Sequence, residues 1–492
     1  MRIPELTAIA LVTLVALVGC GSCDGDRARN VKTPVAPGSA TAGSAGTARL
    51  GSAGEPALPA TQAYLDAPAG TLDGLFAGLA AVDRGDAESR VAMEFFGDSH
   101  TAGDSLTSRL RISWQARFGD AGRGLVGAGK VPTRHYYQRD VRYGKQGDWH
   151  AMVGGARGDT EPFGIDGMRV TGKRKGAQLW VETCAECGTG KSVSQFEILY
   201  YAAPEHGILR YRVDDQPWQQ LATKTSPIEP PHPARQVIRV EDGPHKLTLE
   251  HGGGGVLDLF GVVMERARPG VIVDSLGVVG RRLGSLRSWD WSIIGEQLAT
   301  RDPKLVVLQY GTNEADDPDL VLDDLARYYD DTILRIRAAA PTASILILGP
   351  PDMGAREAGR SCDHKKPKPD QPMIPECEWR TPAILPEIIS VEHAAATRNH
   401  VAFFDTFAAM GGPDHMEPWV EADPKVAYKD RVHFTDLGYQ RWADALSGAL
   451  LAEYAQWRAE HELPPVRPMT VPPLTLPSPG SAAPLLPGPV AP

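Results

Sequence analysis

The stretch Val91-Ala92-Met93-Glu94-Phe95-Phe96-Gly97-Asp98-Ser99-His100-Thr101-Ala102 orders the reading of the whole chain. Val91 to Phe96 is a short, apolar-leaning run of the kind that forms a buried strand, and Gly97-Asp98-Ser99-His100 ends it. Directly afterwards Leu106, Leu110 and Trp114 recur at helical spacing. A strand that turns at once into a helix leaves its turn at the carboxyl edge of a sheet, where open α/β sheets place their sites.

The same grammar returns further along. Leu305 to Gln309 is a second buried-type strand, ending at Tyr310-Gly311-Thr312-Asn313-Glu314. Leu320 to Ala339 is helical by pattern, with Leu322, Leu325, Tyr328, Ile333 and Ile336 apolar. Ile345 to Leu348 runs into Gly349-Pro350-Pro351, Val401 to Phe404 is another strand, and Leu437 to Trp457 is a closing helix. Strands that alternate with helices predict an α/β domain with a parallel sheet covered on both faces.

Between about Lys130 and Pro269 the period changes to two. Leu209, Tyr211 and Val213 alternate with Arg210, Arg212 and Asp214, and Leu179 and Val181 with Gln178, Trp180 and Glu182. Val237 to Val240, Lys246 to Glu250 and Leu257 to Met264 read as further strands, separated by Asp- and Gly-rich turns. Short strands at close spacing predict a β-sandwich. Because α/β sequence flanks it on both sides, it is expected to be an insertion. The expected division is a leader over 1–19, a linker over 20–60, α/β sequence over 61–129 and 270–460, the insert over 130–269, and a Pro-rich tail over 461–492.

The chain has 492 residues, 42% hydrophobic and 23% charged, with a formal net charge of −10. Nothing in that balance has the basic footprint of a nucleic-acid binder. Arg2 followed by the apolar run Leu6 to Val18 suits a signal peptide, too short to span a bilayer comfortably. The run ends in Leu17-Val18-Gly19-Cys20, which resembles the bacterial lipobox and implies cleavage before Cys20 and acylation of its thiol. The alternative is an ordinary secretory signal with an incidental Cys20. The expectation is an exported, lipid-anchored protein, on the periplasmic face of the outer membrane or the cell surface. Residues 21 to 60, rich in Gly, Ala, Ser, Thr and Pro, read as a flexible tether. Export favours disulfides among the six cysteines. Cys184 and Cys187 are expected to pair, since zinc would need two more ligands and none lies nearby. Cys362 and Cys377 form a plausible bridge, and Cys23 is unassigned.

Four short motifs carry chemistry. Ser99 sits before a helix N-terminus, which favours developing negative charge. Asp430 and His433, three apart in Asp-Arg-Val-His, can supply a base and its orienting carboxylate from one turn. Asn313 offers a side-chain N–H donor for an oxyanion. Gly280, in Gly277-Val278-Val279-Gly280, offers a backbone N–H that a substrate can approach closely. Each alone is a weak signal, but their order along the chain is consistent.

That order resembles the SGNH hydrolase family, whose blocks match Gly97-Asp98-Ser99, Gly280, Gly311-Thr312-Asn313-Glu314 and Asp430 to His433. His100-Thr101 and Glu314 depart from the wider pattern, in which Leu is frequent after the serine and Asp ends the third block. The bacterial peptidoglycan O-acetylesterases of that family are more similar still, through Phe96 to Ala102, Phe118 to Gly122, Asp274 to Gly277, Tyr310 to Ala315, Gly349 to Asp352, Ala408 to Gly412 and Val432 to Thr435. The resemblance implies a three-layer, flavodoxin-like α/β/α sheet with an inserted jelly-roll-like, carbohydrate-binding-like module. Trp180 and Trp218 are expected to fill the core of that sandwich; exposed, they would stack on sugars.

The resemblance also implies a function: removal of O-acetyl groups from a glycan, with peptidoglycan as the expected substrate. Ser99 is then the nucleophile, His433 the base, Asp430 its orienter, and the N–H groups of Ser99 and Gly280 with the Asn313 amide the oxyanion donors. The chemistry needs no metal and no cofactor. The same residues would serve a glycan O-acetyltransferase, or an esterase acting on another acetylated polysaccharide or lipid. A cell-wall-binding lipoprotein without activity is the alternative of a different class.

Overall fold

The structure, a computed structural model, describes residues 61–132, 136–154, 162–356 and 378–463. The expected signal peptide, Cys20, the linker, Cys23, the Cys362–Cys377 pair and the tail beyond 463 lie outside them.

The central sheet is built from the runs read as buried strands. Across it lie Gly270–Gly277, Arg90–Gly97, Pro303–Gln309, Ser344–Leu348 and Ala402–Phe404, all parallel. Numbered along the chain, that order is 2-1-3-4-5, the doubly wound arrangement that reverses direction between its first and third strands. The expected all-parallel sheet is corrected at one edge. Leu65–Asp66 adds a short antiparallel strand against Ala402–Phe404, a run too brief to show as a period in sequence.

Each strand turns alternate side chains to opposite faces. Val91, Met93, Phe95, Val307 and Leu346 meet the helices Asp73–Arg84, Ser105–Phe118 and Asp436–Glu460. Phe96, Val306, Leu308, Ile345 and Ile347 meet Trp291–Arg301, Leu322–Ala339 and Leu385–Asn399 on the other side. Three layers follow from that alternation. No helix among the described residues is long and apolar enough to cross a membrane.

The chain between the first two strands of this sheet forms two antiparallel sheets. One orders Gln219–Ala222, Ile208–Val213, Lys246–Gly253, Gln178–Glu182 and Arg142–Gln146. The other orders His232–Gly243, Val193–Ala202, Leu257–Glu265, Met168–Gly172 and Trp149–Val153. Gly122–Val126, ahead of the expected start at 130, already pairs with Leu257–Glu265. Leu179, Val181, Leu209 and Leu249 of the first sheet share one core with Phe196, Ile198, Leu259 and Val262 of the second. Trp180 is not in that core. It sits on the opposite face from Leu179 and Val181, half-buried, as does the half-buried Trp218 beside the same sheet. The alternation that buries Leu179 and Val181 obliges residue 180 to point outward. Cys184 and Cys187 form a disulfide.

A buried ionic network ties the α/β layers to the β region. Asp104, fully buried, accepts from Arg111 Nη2 at 3.1 Å, Arg123 Nη2 at 2.8 Å, Thr107 Oγ1 and Arg139 N. Arg111 also reaches Asp140 at 2.6 Å and the Val273 carbonyl. Burial alone would raise the Asp104 carboxyl, but the two guanidinium groups hold it below the usual carboxylate value. Removing this one acid would leave the buried Arg123 without a carboxylate partner and Arg111 with Asp140 alone. Asp104→Ala is expected to lower unfolding stability by about 3–5 kcal/mol, read as an early urea midpoint; an unshifted midpoint would show that the network carries no stability.

Candidate active site

Register places the site. Gly97, at the end of its strand, pairs on one side with Gly277 and on the other with Gln309. Three chain segments therefore leave the sheet at one level, around the point where the strand order reverses. One carries Asp98 and Ser99, the next Gly280 to Leu283, the third Gly311 to Glu314.

Gly97 is the close-packed pivot. A Cβ there would lie 2.2 Å from Thr101 Oγ1, so the chain can fold back over it only without a side chain. Asp98 caps the short helix Ser99–Ala102, its Oδ1 accepting from His100 N at 2.8 Å. Ser99 is the first helical residue and is half-buried. Its Oγ lies 2.8 Å from His433 Nε2.

His433 arrives from the loop before the last helix. Asp430 Oδ1 accepts from the N–H groups of Val432 and His433, at 3.1 and 3.0 Å, and Oδ2 lies 2.8 Å from His433 Nδ1. Between them Arg431 sits at φ +58°, a left-handed conformation that costs energy for a side-chain-bearing residue. Its guanidinium is held by Glu417 at 2.7 and 2.9 Å. Burial disfavours the imidazolium, but the Asp430 hydrogen bond and charge outweigh it and raise His433 above the ordinary histidine value. Burial pushes Asp430 up as well, and the His433 partnership overrides it, leaving the carboxylate lowered. Ser99, His433 and Asp430 thus form one hydrogen-bonded chain.

Asn313 is brought to the same place. Its Nδ2 donates to the Arg281 carbonyl at 3.1 Å and to Asp98 Oδ2 at 3.3 Å. Gly280 takes φ +71°, is exposed, and has open space where a Cβ would stand. Among the described residues no hydrogen bond uses its N–H. The structure therefore assembles every site residue expected from the sequence except Cys20, which lies outside the described residues.

Two groups carry more of the site than the motifs suggested. Glu314 is buried, with Oε1 accepting from Leu283 N and Oε2 from Gly311 N, both at 2.8 Å. Arg282 Nε donates to the Asn313 carbonyl at 3.0 Å. The longer side chain at 314 is thus a buckle between the Gly280 and Asn313 segments, raised in pKa chiefly by burial. Asp98 is fully buried, and desolvation pushes its carboxyl up to about 7, so it titrates near neutrality beside His433. Its place inside Gly-Asp-Ser was the available signal. His100 packs behind Ser99: it is buried, Nδ1 lies 3.0 Å from Tyr439 Oη, and its ring sits among Phe434, Tyr439 and Trp442. Burial, with the nearby His433, lowers it well below the ordinary value. Among the described residues no group of three or more His, Cys, Asp or Glu could hold a metal ion.

Comparison with known proteins agrees with this geometry. Residues 246–441 match the GDSL-like Lipase/Acylhydrolase family. The match begins within the β region, at the strand that starts with Lys246, and does not include Ser99. Among solved structures, a peptidoglycan O-acetylesterase superposes with a TM-score of 0.64 at 24% identity, covering 80% of this chain and 99% of that one. An acetyl xylan esterase gives 0.26 at 17% identity over 37% of this chain and 80% of its own. A family two carbohydrate esterase from Cellvibrio japonicus gives 0.24 at 11% over 64% and 98%; neither of these two shares enough geometry to bear on the chain. No curated protein matches the sequence significantly. Residues 246–441 carry a GDSL-like lipase/acylhydrolase domain, and the chain shares the fold of a peptidoglycan O-acetylesterase.

Proposed function

We propose that the protein removes O-acetyl groups from a glycan, with peptidoglycan as the substrate, through an acetyl-Ser99 intermediate. The observation that carries this reading is the chain from Ser99 Oγ through His433 to Asp430, 2.8 Å at each step, beside the Gly280 N–H, which no hydrogen bond among the described residues uses. The glycan part is supported by the fold shared with a peptidoglycan O-acetylesterase.

His433 Nε2 takes the hydroxyl proton as Ser99 Oγ bonds to the acetyl carbon. The carbonyl oxygen becomes an oxyanion and accepts from the N–H groups of Ser99 and Gly280 and from Asn313 Nδ2, whose links to Asp98 and Arg281 hold the amide at the site. The tetrahedral intermediate collapses, the C–O bond to the sugar breaks, and the imidazolium returns its proton to the sugar oxygen. Water, deprotonated by His433, then attacks the acetyl carbon; Ser99 leaves with the proton and acetate is released. Asp430 stabilises the imidazolium at both stages and fixes the tautomer. No step calls for a metal or cofactor.

The same proposal makes the two-sheet region over 130–269 a jelly-roll-like, carbohydrate-binding-like module, and the chain an exported lipoprotein anchored through Cys20. The resemblance of Leu17 to Cys20 to a lipobox supports the anchor.

Wild-type protein is expected to release acetate from O-acetylated peptidoglycan and Ser99→Ala to release none; full activity in the purified variant would remove Ser99 from the reaction. Asn313→Ala is expected to cut kcat by about 10²–10³, equivalent to ~2.7–4 kcal/mol of barrier, with KM little changed. The pH profile carries a further expectation. Only neutral His433 can accept a proton, and its raised pKa keeps it protonated to higher pH. The acid limb of kcat/KM should therefore lie above the ordinary histidine value of about 6.5. Asp98→Asn removes a nearby carboxylate that favours the imidazolium, so the limb should move to lower pH; a move to higher pH would contradict the assigned electrostatics.

A further inference from the structure

The outward face of the five-stranded sheet has a composition that folding alone does not require. Register sets five residues in one row across it: Gly144, Trp180, Thr248, Arg212 and, one step beyond the Gln219–Tyr211 pair, Trp218. A Cβ at Gly144 would come within 2.6 Å of the Trp180 ring, so the indole lies flat across the neighbouring strand where only glycine leaves room. Thr248, small and buried, makes a low floor between the two indoles. Three strand spacings separate the strand of Trp180 from that beside Trp218, about 14 Å, wider than a single sugar ring. The next row is Gln146, Gln178, Glu250, Arg210 and Gln220, an unbroken line of planar hydrogen-bonding groups.

The charge on this face is also particular. Arg142 and Lys246 approach Glu182 at 3.5 and 4.0 Å, and Arg210 pairs with Glu250. Arg212 has no carboxylate partner among the described residues. Its guanidinium stands 4.8 Å from the Trp218 ring centroid, and its buried Nε has no hydrogen-bond partner. Lys246 Nζ lies 4.4 Å from the Trp180 centroid. Four basic side chains, Arg142, Lys246, Arg210 and Arg212, share the face with three acidic ones, Glu182, Glu250 and Asp214, the last held by His245, on a chain whose formal net charge is −10. A flat aromatic surface matches the C–H face of a sugar ring, amide and guanidinium groups match its hydroxyls, and a spare guanidinium matches a carboxylate.

We propose that this face binds a glycan strand bearing carboxylates, with Trp180 and Trp218 as stacking surfaces and Arg212 as the anion contact, a role that rests on the glycan reading above. The face does not take part in the ester chemistry. It holds the polymer to the protein independently of turnover, and it selects acidic wall glycan over a neutral polymer of the same backbone.

The test uses the full chain and peptidoglycan sacculi stripped of O-acetyl groups by mild base, so that binding is read without turnover. Wild type is expected to co-sediment with the sacculi and only weakly with chitin, which lacks the carboxylates. Trp180→Ala, Trp218→Ala and Arg212→Gln should each weaken sedimentation roughly tenfold while turnover of p-nitrophenyl acetate stays at the wild-type rate, which also certifies the fold. Unchanged sedimentation of Arg212→Gln and Trp218→Ala would overturn the assignment, as would equal capture by chitin. Capture by phosphatidylglycerol vesicles instead of sacculi, lost in the same variants, would make the face a membrane surface and overturn it as well. Binding without acetate release from acetylated sacculi would sink the esterase substrate and leave this face standing; acetate release with no binding would do the reverse.

Discussion

The parallel pairing of Gly97 with Gly277 on one side and Gln309 on the other is the constraint on which the rest of the site depends. It brings three strand ends to one level at the reversal of strand order, where no crossover helix covers the sheet edge. From there Ser99, Gly280 and Asn313 each stand only a few residues beyond the last paired position. Short leashes leave little conformational freedom, so the donors are ordered before any substrate arrives and cost little to reorganise. The last helix then needs to deliver only one loop, and Asp430 and His433 come with it as a unit.

The burial of acids around these leashes is the second theme. Glu314 uses both carboxylate oxygens on backbone N–H groups, one from each oxyanion segment. Asp98 does the same between His100 N and the Asn313 amide. Buried carboxylates are costly unless their lone pairs are satisfied, and here they are satisfied by the groups whose positions matter. The cost of desolvation is converted into placement. A similar logic joins the layers lower down, where Arg301 contacts Glu94, Asp274 and Glu265 from the central sheet and the β region.

Much of this was legible in the sequence because it depends on local pattern. The strand-turn-helix around Ser99, the spacing of Asp430 and His433 and the period-two run from Leu209 to Asp214 each follow from a few adjacent residues. The strand order did not follow, since it depends on which strands pair across more than a hundred residues. The antiparallel edge Leu65–Asp66 is too short to leave a period. Trp180 was assigned to the core on the habits of sandwiches, although its own alternation with Leu179 and Val181 pointed outward. Glu314 read as a departure from a motif; its reach to two segments at once is a property of three dimensions.

The account stands or falls on a covalent bond to one oxygen. Brief exposure of the protein to a soluble acetyl ester, followed by acid quench and peptide mass mapping, measures it directly. The account predicts an added acetyl group on the peptide containing Ser99, absent when His433 is replaced by Ala. Turnover with no acetyl on Ser99 under any quench, or an acetyl trapped on a different residue, would contradict it.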